Sequence, residues 1–149
     1  MASEITLFTK SGDWKADVEA WKNNFLFYKS IGTEVTVYHR EQTKNVWGNT
    51  VTDWVRKAAS SISITNVYRG SGPGAATRSK TCNNASYCEL KEWAVGVTLT
   101  LPVDGITDIG GGAILDLDSV TGSVSIVIQG EVLRGEVSAS SVLSDSGIW

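Results

Sequence analysis

The sequence is poor in the residues from which catalytic sites are usually built. It has a single histidine, His39, and no GxSxG motif that would hold a nucleophilic serine on a strand-to-helix turn. A serine or cysteine nucleophile would depend on His39, which continues the apolar face of an alternating segment. The glycine-rich segment 68–80 lacks the GxxxxGK[ST] order of a phosphate-binding loop. We therefore expect a protein that is not an enzyme.

Charged residues are also scarce. They make up 19% of the chain, and 13 basic residues against 16 acidic ones give a formal net charge of -3. A mildly acidic chain has no general attraction for nucleic acid, so we expect no nucleic-acid partner. Low charge density in a chain with many strands favours self-association, so we expect a homo-oligomer.

The chain shows no sign of a secretory leader or of a membrane-spanning helix. Residues 1–6 lack the basic and apolar regions of a signal peptide, and nowhere do about 18 apolar residues follow one another. We expect a protein that is cytoplasmic at synthesis, or released without a classical signal. Its length predicts one domain over residues 1–149.

Only two cysteines are present, Cys82 and Cys88, in a short segment rich in Asn and Ser. Two cysteines cannot complete a zinc site alone, and their spacing is compatible both with a disulfide and with two free thiols. We expect no cofactor, with Ca²⁺ as the one ion to consider. Asp116 and Asp118 are spaced so that both carboxylates lie on one side of a strand, where a solvated face is the favoured interpretation. The second interpretation is a metal site in which the pair binds Ca²⁺, and the third is an acid pair for glycoside hydrolysis.

Alternation of apolar and small polar residues is what the sequence has in quantity. Residues 93–101 place Trp, Val and Leu on one side and Ala, Gly and Thr on the other. A period of two marks a strand with one buried face. The same pattern predicts strands over residues 34–40, 60–65 and 131–139. A further pair, 114–118 and 123–128, flanks Ser-Val-Thr-Gly and predicts a hairpin.

Two segments carry a helical spacing instead. Apolar residues recur every three or four positions over residues 14–25, which predicts a helix over residues 13–23. The same spacing over residues 51–58 predicts a short helix or turn. The predicted fold class is mainly β, a β-dominated α+β domain. Its architecture is a two-sheet antiparallel sandwich with one or two short helices.

Parts of the first half resemble a βγ-crystallin-type Greek key. The segments that carry the resemblance are Ile5–Phe8, Val35–Tyr38, and Trp54 followed by Ala59–Ile64, with its Ser-Ser before a strand. The resemblance covers residues 4–66 and implies a Greek-key sandwich. In that family an acidic or amide pair precedes the second of these serines, whereas this chain has Arg56 and Lys57. The resemblance therefore implies no calcium site there.

Six tryptophans on a β-rich scaffold favour a binding function. We expect a non-catalytic, lectin-like protein that binds carbohydrate or a cell surface. Flat aromatic faces bury the apolar face of a sugar, while polar side chains bond its hydroxyls. The predicted ligand contacts, all in loops or beside them, are Trp47, Tyr68, Arg69 and Tyr87.

Two other classes of protein fit the same pattern. Residues 93–101 and 112–129 alternate as a transmembrane hairpin requires, which predicts a small β-pore-forming or membrane-active cytolytic protein with a membrane partner. A strand of a soluble sandwich has the same alternation, so this alternative ranks second. The third is a structural, self-assembling β protein.

Overall fold

The computed structural model describes residues 3–25, 28–70, 74–95, 100–102 and 114–140, and every structural statement below concerns this part of the chain. Each regular element within it is a β-strand. The strands are β1 (Glu4–Phe8), β2 (Trp14–Phe25), β3 (Tyr28–Lys44), β4 (Thr50–Arg56), β5 (Ala59–Gly70), β6 (Ala76–Ala85), β7 (Tyr87–Val95), β8 (Thr100–Pro102), β9 (Ile114–Ile128) and β10 (Glu131–Ser140).

The strands form two antiparallel sheets. Sheet A has the order β1-β2-β3, and two strands share the far edge of β3: β7 pairs with residues 28–36 and β4 with residues 38–44. Sheet B has the order β10-β9-β5-β6, with β8 paired to the start of β9. The chain passes from sheet A to sheet B after β4 and returns to sheet A between β6 and β7.

The two sheets pack face to face, as in a β-sandwich. Strands β1 and β2 lie against β10 and β9, while β7 lies against β5 and β6. Every second residue of the central strands faces the interior, which is the burial that a period of two produces. The largest fully buried apolar side chains are Tyr68, Ile31, Ile62, Ile64, Ile126, Ile128, Val18, Val35, Val37, Val120 and Val137.

Two glycines set how closely the sheets approach. A Cβ on Gly122 of β9 would collide with the Thr33 side chain of β3. A Cβ on Gly135 of β10 would press on the Ile5 side chain of β1. Gly122 thus lies where the opposite sheet leaves no room for a larger residue, whereas at Gly135 a larger residue would require the Ile5 side chain to move.

A buried polar bridge also joins the sheets. Thr33 Oγ1 of sheet A donates to Asn66 Oδ1 of sheet B over 2.7 Å. The Asn66 amide nitrogen donates to the Tyr68 hydroxyl over 2.9 Å and to the Leu90 carbonyl oxygen over 3.0 Å. Burial raises the pKa of the Tyr68 hydroxyl above its ordinary value, so it stays neutral. Interior polar groups of this kind are tolerated because each has a partner.

Cys82 and Cys88 form a disulfide, with Cα atoms 5.9 Å apart. Cys82 lies in β6 of sheet B and Cys88 lies in β7 of sheet A. The bond therefore ties the sheets together at the point where the chain crosses between them. The two residues lie on strands that meet at a bend at Ser86.

Both predicted helices are wrong. Residues 14–23 lie in β2 and residues 51–56 lie in β4, each paired antiparallel with β3. The helical spacing in the first segment overlooked Ala16 and Ala20, which are buried together with Trp14 and Val18 at a strict period of two. Pairing with β1 and β3 satisfies this backbone along its length, so tertiary context decides the conformation. In the part of the chain described here, no helix is long and apolar enough to cross a membrane.

The predicted hairpin at residues 119–122 is also wrong, because β9 runs without interruption through it. Gly122 serves close packing against sheet A, as described above, and the turn that reverses the chain lies at Gln129 and Gly130. The strands predicted over residues 34–40, 60–65 and 131–139 are confirmed within β3, β5 and β10. Residues 96–99 of the predicted strand 93–101, and residues 112–113, lie outside the described residues.

Candidate functional site

The four predicted ligand contacts do not come together in the structure. Trp47 lies at the tip of the turn between β3 and β4 and is 81% exposed. Tyr87 begins β7 on the outer face of sheet A and is 37% exposed. Arg69 is exposed near the end of β5 in sheet B, where it lines an open cleft that also contains Trp21 and Lys22.

The predicted placement of Tyr68 in a loop is wrong. Tyr68 lies within β5 and has no exposed surface, since its ring fills the interior between the sheets. Its hydroxyl takes part in the buried bridge through Asn66, so it is not available to a ligand at the surface. The sequence suggested a loop because of the glycines that follow, yet β5 continues to Gly70.

Asp116 and Asp118 lie in β9, where Asp116 pairs with Thr100 of β8. The structure describes the backbone of these two residues and not their side chains, so their role as calcium ligands stays a prediction. Among the described residues, no group of three or more His, Cys, Asp or Glu side chains is arranged to hold a metal ion.

The outer face of sheet A brings together polar and aromatic side chains that are far apart in sequence. Cross-strand registers place Glu4 opposite Glu19, Glu19 opposite Glu34, and Glu34 opposite Glu89. These four glutamates, here called the acidic row, cross strands β1, β2, β3 and β7 at one level. They stand in a line, about 5 Å from strand to strand, rather than converging on one point.

Like charges directly opposite one another repel, and the acidic row shows the consequence. Burial raises the pKa of Glu19 above its ordinary value of 4.5, and the neighbouring carboxyls of Glu4 and Glu34 raise it further. At one end of the row, the Tyr87 hydroxyl lies 2.6 Å from Glu34 Oε2 and 2.9 Å from Glu89 Oε2. Burial and these two carboxylates raise the pKa of Tyr87, which therefore remains a hydrogen-bond donor to the row.

A groove of about 430 Å³ opens beside the acidic row. The next register level places Trp21 and Lys91 on either side of Gly32, which has no side chain and leaves a gap between them. A Cβ on Gly32 would collide with the Leu90 carbonyl oxygen, so the gap is fixed by the close pairing of β3 with β7. The groove is lined by Glu19, Trp21, Asn23, Ser30, Glu34, Glu89 and Lys91.

The indole of Trp21 is held in place at the groove. Its Nε1 donates to Ser30 Oγ over 2.7 Å, and Ser30 is itself buried. A half-buried ring anchored by its only donor presents an apolar surface without losing further conformational freedom on binding. Glu34, Glu89 and Lys91 lie across the groove on β3 and β7, and Glu19 and Asn23 lie beside Trp21 on β2. Together these side chains offer both acceptors and donors.

A second cluster lies at the other side of the acidic row, toward β4. Phe8 and Trp54 meet edge to face with ring centres 6.2 Å apart. Lys15 Nζ lies 4.8 Å from the centre of the Trp54 ring, and the Arg56 guanidinium lies 5.6 Å from the centre of the Tyr87 ring. Cations already cover these rings, so this cluster is less open to a ligand than Trp21 is.

Sequence reasoning missed the groove because its residues come from three strands that the pattern did not bring together. Glu19 and Trp21 fall within the predicted helix over residues 13–23, but they lie in β2, paired with β3. The alternation Trp-Lys-Ala-Asp-Val-Glu-Ala-Trp over residues 14–21 was the signal that could have found it. Read as a strand, it places Asp17, Glu19 and Trp21 on one outer face.

Comparison of the chain with known protein families, with curated proteins and with solved structures finds no match. The resemblance to βγ-crystallins, the homo-oligomer and the predicted function therefore stay predictions, and the site has to be argued from its own chemistry.

Proposed function

We propose that the protein is a non-catalytic, lectin-like carbohydrate-binding protein whose binding site is the groove on sheet A. The observation that carries this proposal is that the anchored Trp21 ring lines one small groove together with carboxylates, an amide and a lysine. Sugars have an apolar face of C–H groups and a rim of hydroxyls, so they need an aromatic surface next to hydrogen-bonding groups. The groove volume of about 430 Å³ lies within the range of small-molecule sites.

The charge of the groove favours one class of sugar. Three of its side chains are glutamates, and Lys91 is the one cation among those that line it. Carboxylates accept hydrogen bonds from sugar hydroxyls and attract an ammonium group, but they repel carboxylate and sulfate. We therefore assign neutral or amino sugars to the groove and expect sialylated and sulfated glycans to be excluded.

A glycan array with neutral, amino and anionic glycans, read with and without Ca²⁺, tests the proposal. The protein is expected to bind a neutral or amino glycan in both conditions. Trp21→Ala is expected to weaken binding about tenfold or more, because the ring supplies the main apolar contact. Trp21→Phe keeps an aromatic surface and is expected to retain part of the binding.

The matched control is Trp47→Ala, which removes an exposed tryptophan far from the groove and is expected to leave glycan binding unchanged. Binding that persists in Trp21→Ala, or binding only to anionic glycans, would contradict the groove as the site. Binding that needs Ca²⁺ and ignores Trp21→Ala would move the site to Asp116 and Asp118. A blank array for the folded protein would contradict the function itself.

A further inference from the structure

The hairpin of β3 and β4 ends in an apolar turn that the rest of the molecule does not cover. Every residue from 42 to 50 is exposed, and the two at the apex are Val46, which is 90% exposed, and Trp47, which is 81% exposed. Large apolar side chains seldom stand this far into water in pairs unless a partner receives them. We call residues 44–50 the apolar tip.

Four backbone N–H groups of the apolar tip have hydrogen-bond partners inside it. Asn45 Oδ1 accepts hydrogen bonds from the backbone nitrogens of Trp47, over 2.9 Å, and of Asn49, over 3.1 Å. The backbone nitrogens of Asn45 and Gly48 donate to the carbonyl oxygens of Asn49 and Asn45, each over 3.0 Å. Gly48 has a φ of 80°, a conformation that suits glycine and closes this turn.

This internal pairing bears on which partner the tip suits. A turn that enters a medium without water is destabilised by each backbone group left unpaired. Four donors of the tip are paired inside it, while the Val46 N–H and the carbonyl oxygens of residues 46–48 face water, so the tip suits the hydrated headgroup region rather than the hydrocarbon core. Tryptophan is also the side chain that favours the membrane–water interface, because its ring is apolar and its N–H remains hydrated.

The charge pattern fits the same partner. Between residues 42 and 52 the sequence contains one charged residue, Lys44, and no acidic residue. The nearest acidic residues are Glu41 and Asp53, which lie opposite each other on β3 and β4. They are three strand positions farther from the turn than Lys44. Three positions correspond to about 10 Å. An element lying in the bilayer interface buries its apolar side about 5–10 Å deep, so the acids stay in water when the tip enters.

We propose that the apolar tip docks the protein on a lipid bilayer by inserting Val46 and Trp47 into the interface between headgroups and acyl chains. The tip is convex, as a partner for a flat and deformable surface should be. The inference does not depend on the carbohydrate groove, which lies on the other half of β3.

Flotation with phosphatidylcholine vesicles, with and without phosphatidylserine, tests the proposal on the whole chain. The protein is expected to float with both kinds of vesicle, and added salt is expected to change this little, because the contact is apolar. Trp47→Ala is expected to weaken vesicle binding about tenfold or more. The matched control is Trp93→Ala, which removes a 56% exposed tryptophan in β7 and is expected to float as the wild type does.

Fluorescence supplies a second readout that does not depend on the amount bound. The emission of the wild type is expected to shift to the blue when vesicles are added, because Trp47 leaves water. Trp47→Leu keeps an apolar tip and is expected to float, but without that blue shift. Failure of the folded wild type to float would overturn the proposal. So would equal binding of wild type and Trp47→Ala, or an equal loss in Trp93→Ala, since the contact would then lie elsewhere.

Discussion

The outer faces of sheet A and sheet B have opposite chemistry, although both sheets share one interior. Sheet A shows carboxylates, aromatic rings, lysine and arginine to the solvent. Strands β5, β6 and β9 of sheet B show mainly hydroxyls: the cross-strand registers place Ser63 opposite Ser125 and Thr81, and Thr65 opposite Ser123 and Ser79. The charged side chains Arg134 and Glu136 of this sheet lie on its edge strand β10.

The difference shows which outer face has side chains available to bind a ligand. On sheet B the hydroxyls bond one another, with Ser63 Oγ 3.0 Å from Thr81 Oγ1 and Thr65 Oγ1 3.1 Å from Ser79 Oγ. On sheet A the acidic row places like charges side by side, an arrangement that does not stabilise the fold. Charge repulsion that does not stabilise the fold is typical of a functional surface.

The largest expected effect on stability comes from removing a buried hydrogen-bonding group from the interior between the two sheets. Asn66→Ala removes the amide that joins Thr33, Tyr68 and Leu90 and leaves their buried polar groups without that partner. We expect it to lower the free energy of unfolding by about 3 kcal/mol. Urea unfolding followed by circular dichroism measures this.

Its control lies on the same strand and faces the other way. Thr65→Ala removes a hydroxyl from the outer face of sheet B, where water can replace the bond to Ser79. The expected change is about 0.5 kcal/mol or less. Equal losses in the two variants would mean that the buried bridge contributes no more than a surface hydroxyl pair.

The second-largest expected effect comes from removing the disulfide that links the two sheets. The disulfide between Cys82 and Cys88 closes a short loop, and removing it in Cys82→Ala/Cys88→Ala is expected to cost about 2 kcal/mol by the loop-entropy model. Urea unfolding of the double variant and of the wild type gives the difference. An unchanged midpoint would show that strand pairing alone holds β6 and β7 against each other.

The sequence predicted the interior better than the outer faces. Alternation in residues 60–65 and 131–139 marks strands because burial repeats every second residue, and the structure confirms both. The outer face of sheet A depends on register, which is set by long-range pairing: Glu4 and Glu89 reach the same level through four strands. No local pattern encodes that coincidence: the alternation over residues 14–21 places Glu19 and Trp21 on one face, but it does not reveal which residues of β3 and β7 lie beside them.

The smallest expected effect comes from removing one charge from the acidic row. Glu19 faces Glu4 on β1 and Glu34 on β3, with Glu89 beyond on β7. The other charged and titratable groups near it on this face are Asp17, Lys91 and Tyr87. Because its pKa is raised in the folded protein, the unfolded chain gives up this proton more readily. Stability is therefore lost as the pH rises from the ordinary carboxyl value of 4.5 through the raised one.

Glu19→Gln removes that charge while keeping the shape of the side chain. We expect it to raise the free energy of unfolding by about 0.5 kcal/mol at neutral pH, the scale of a like-charge pair across strands. The gain should vanish below the ordinary carboxyl pKa, where Glu19 is protonated in both states. Urea unfolding over a range of pH measures both quantities. Glu136→Gln on sheet B, whose cross-strand neighbour is Ser123, is the control and should show no such gain. If both variants gained equally at neutral pH, the cause would be the net negative charge of the chain, and the contrast between the two faces would lose its electrostatic basis.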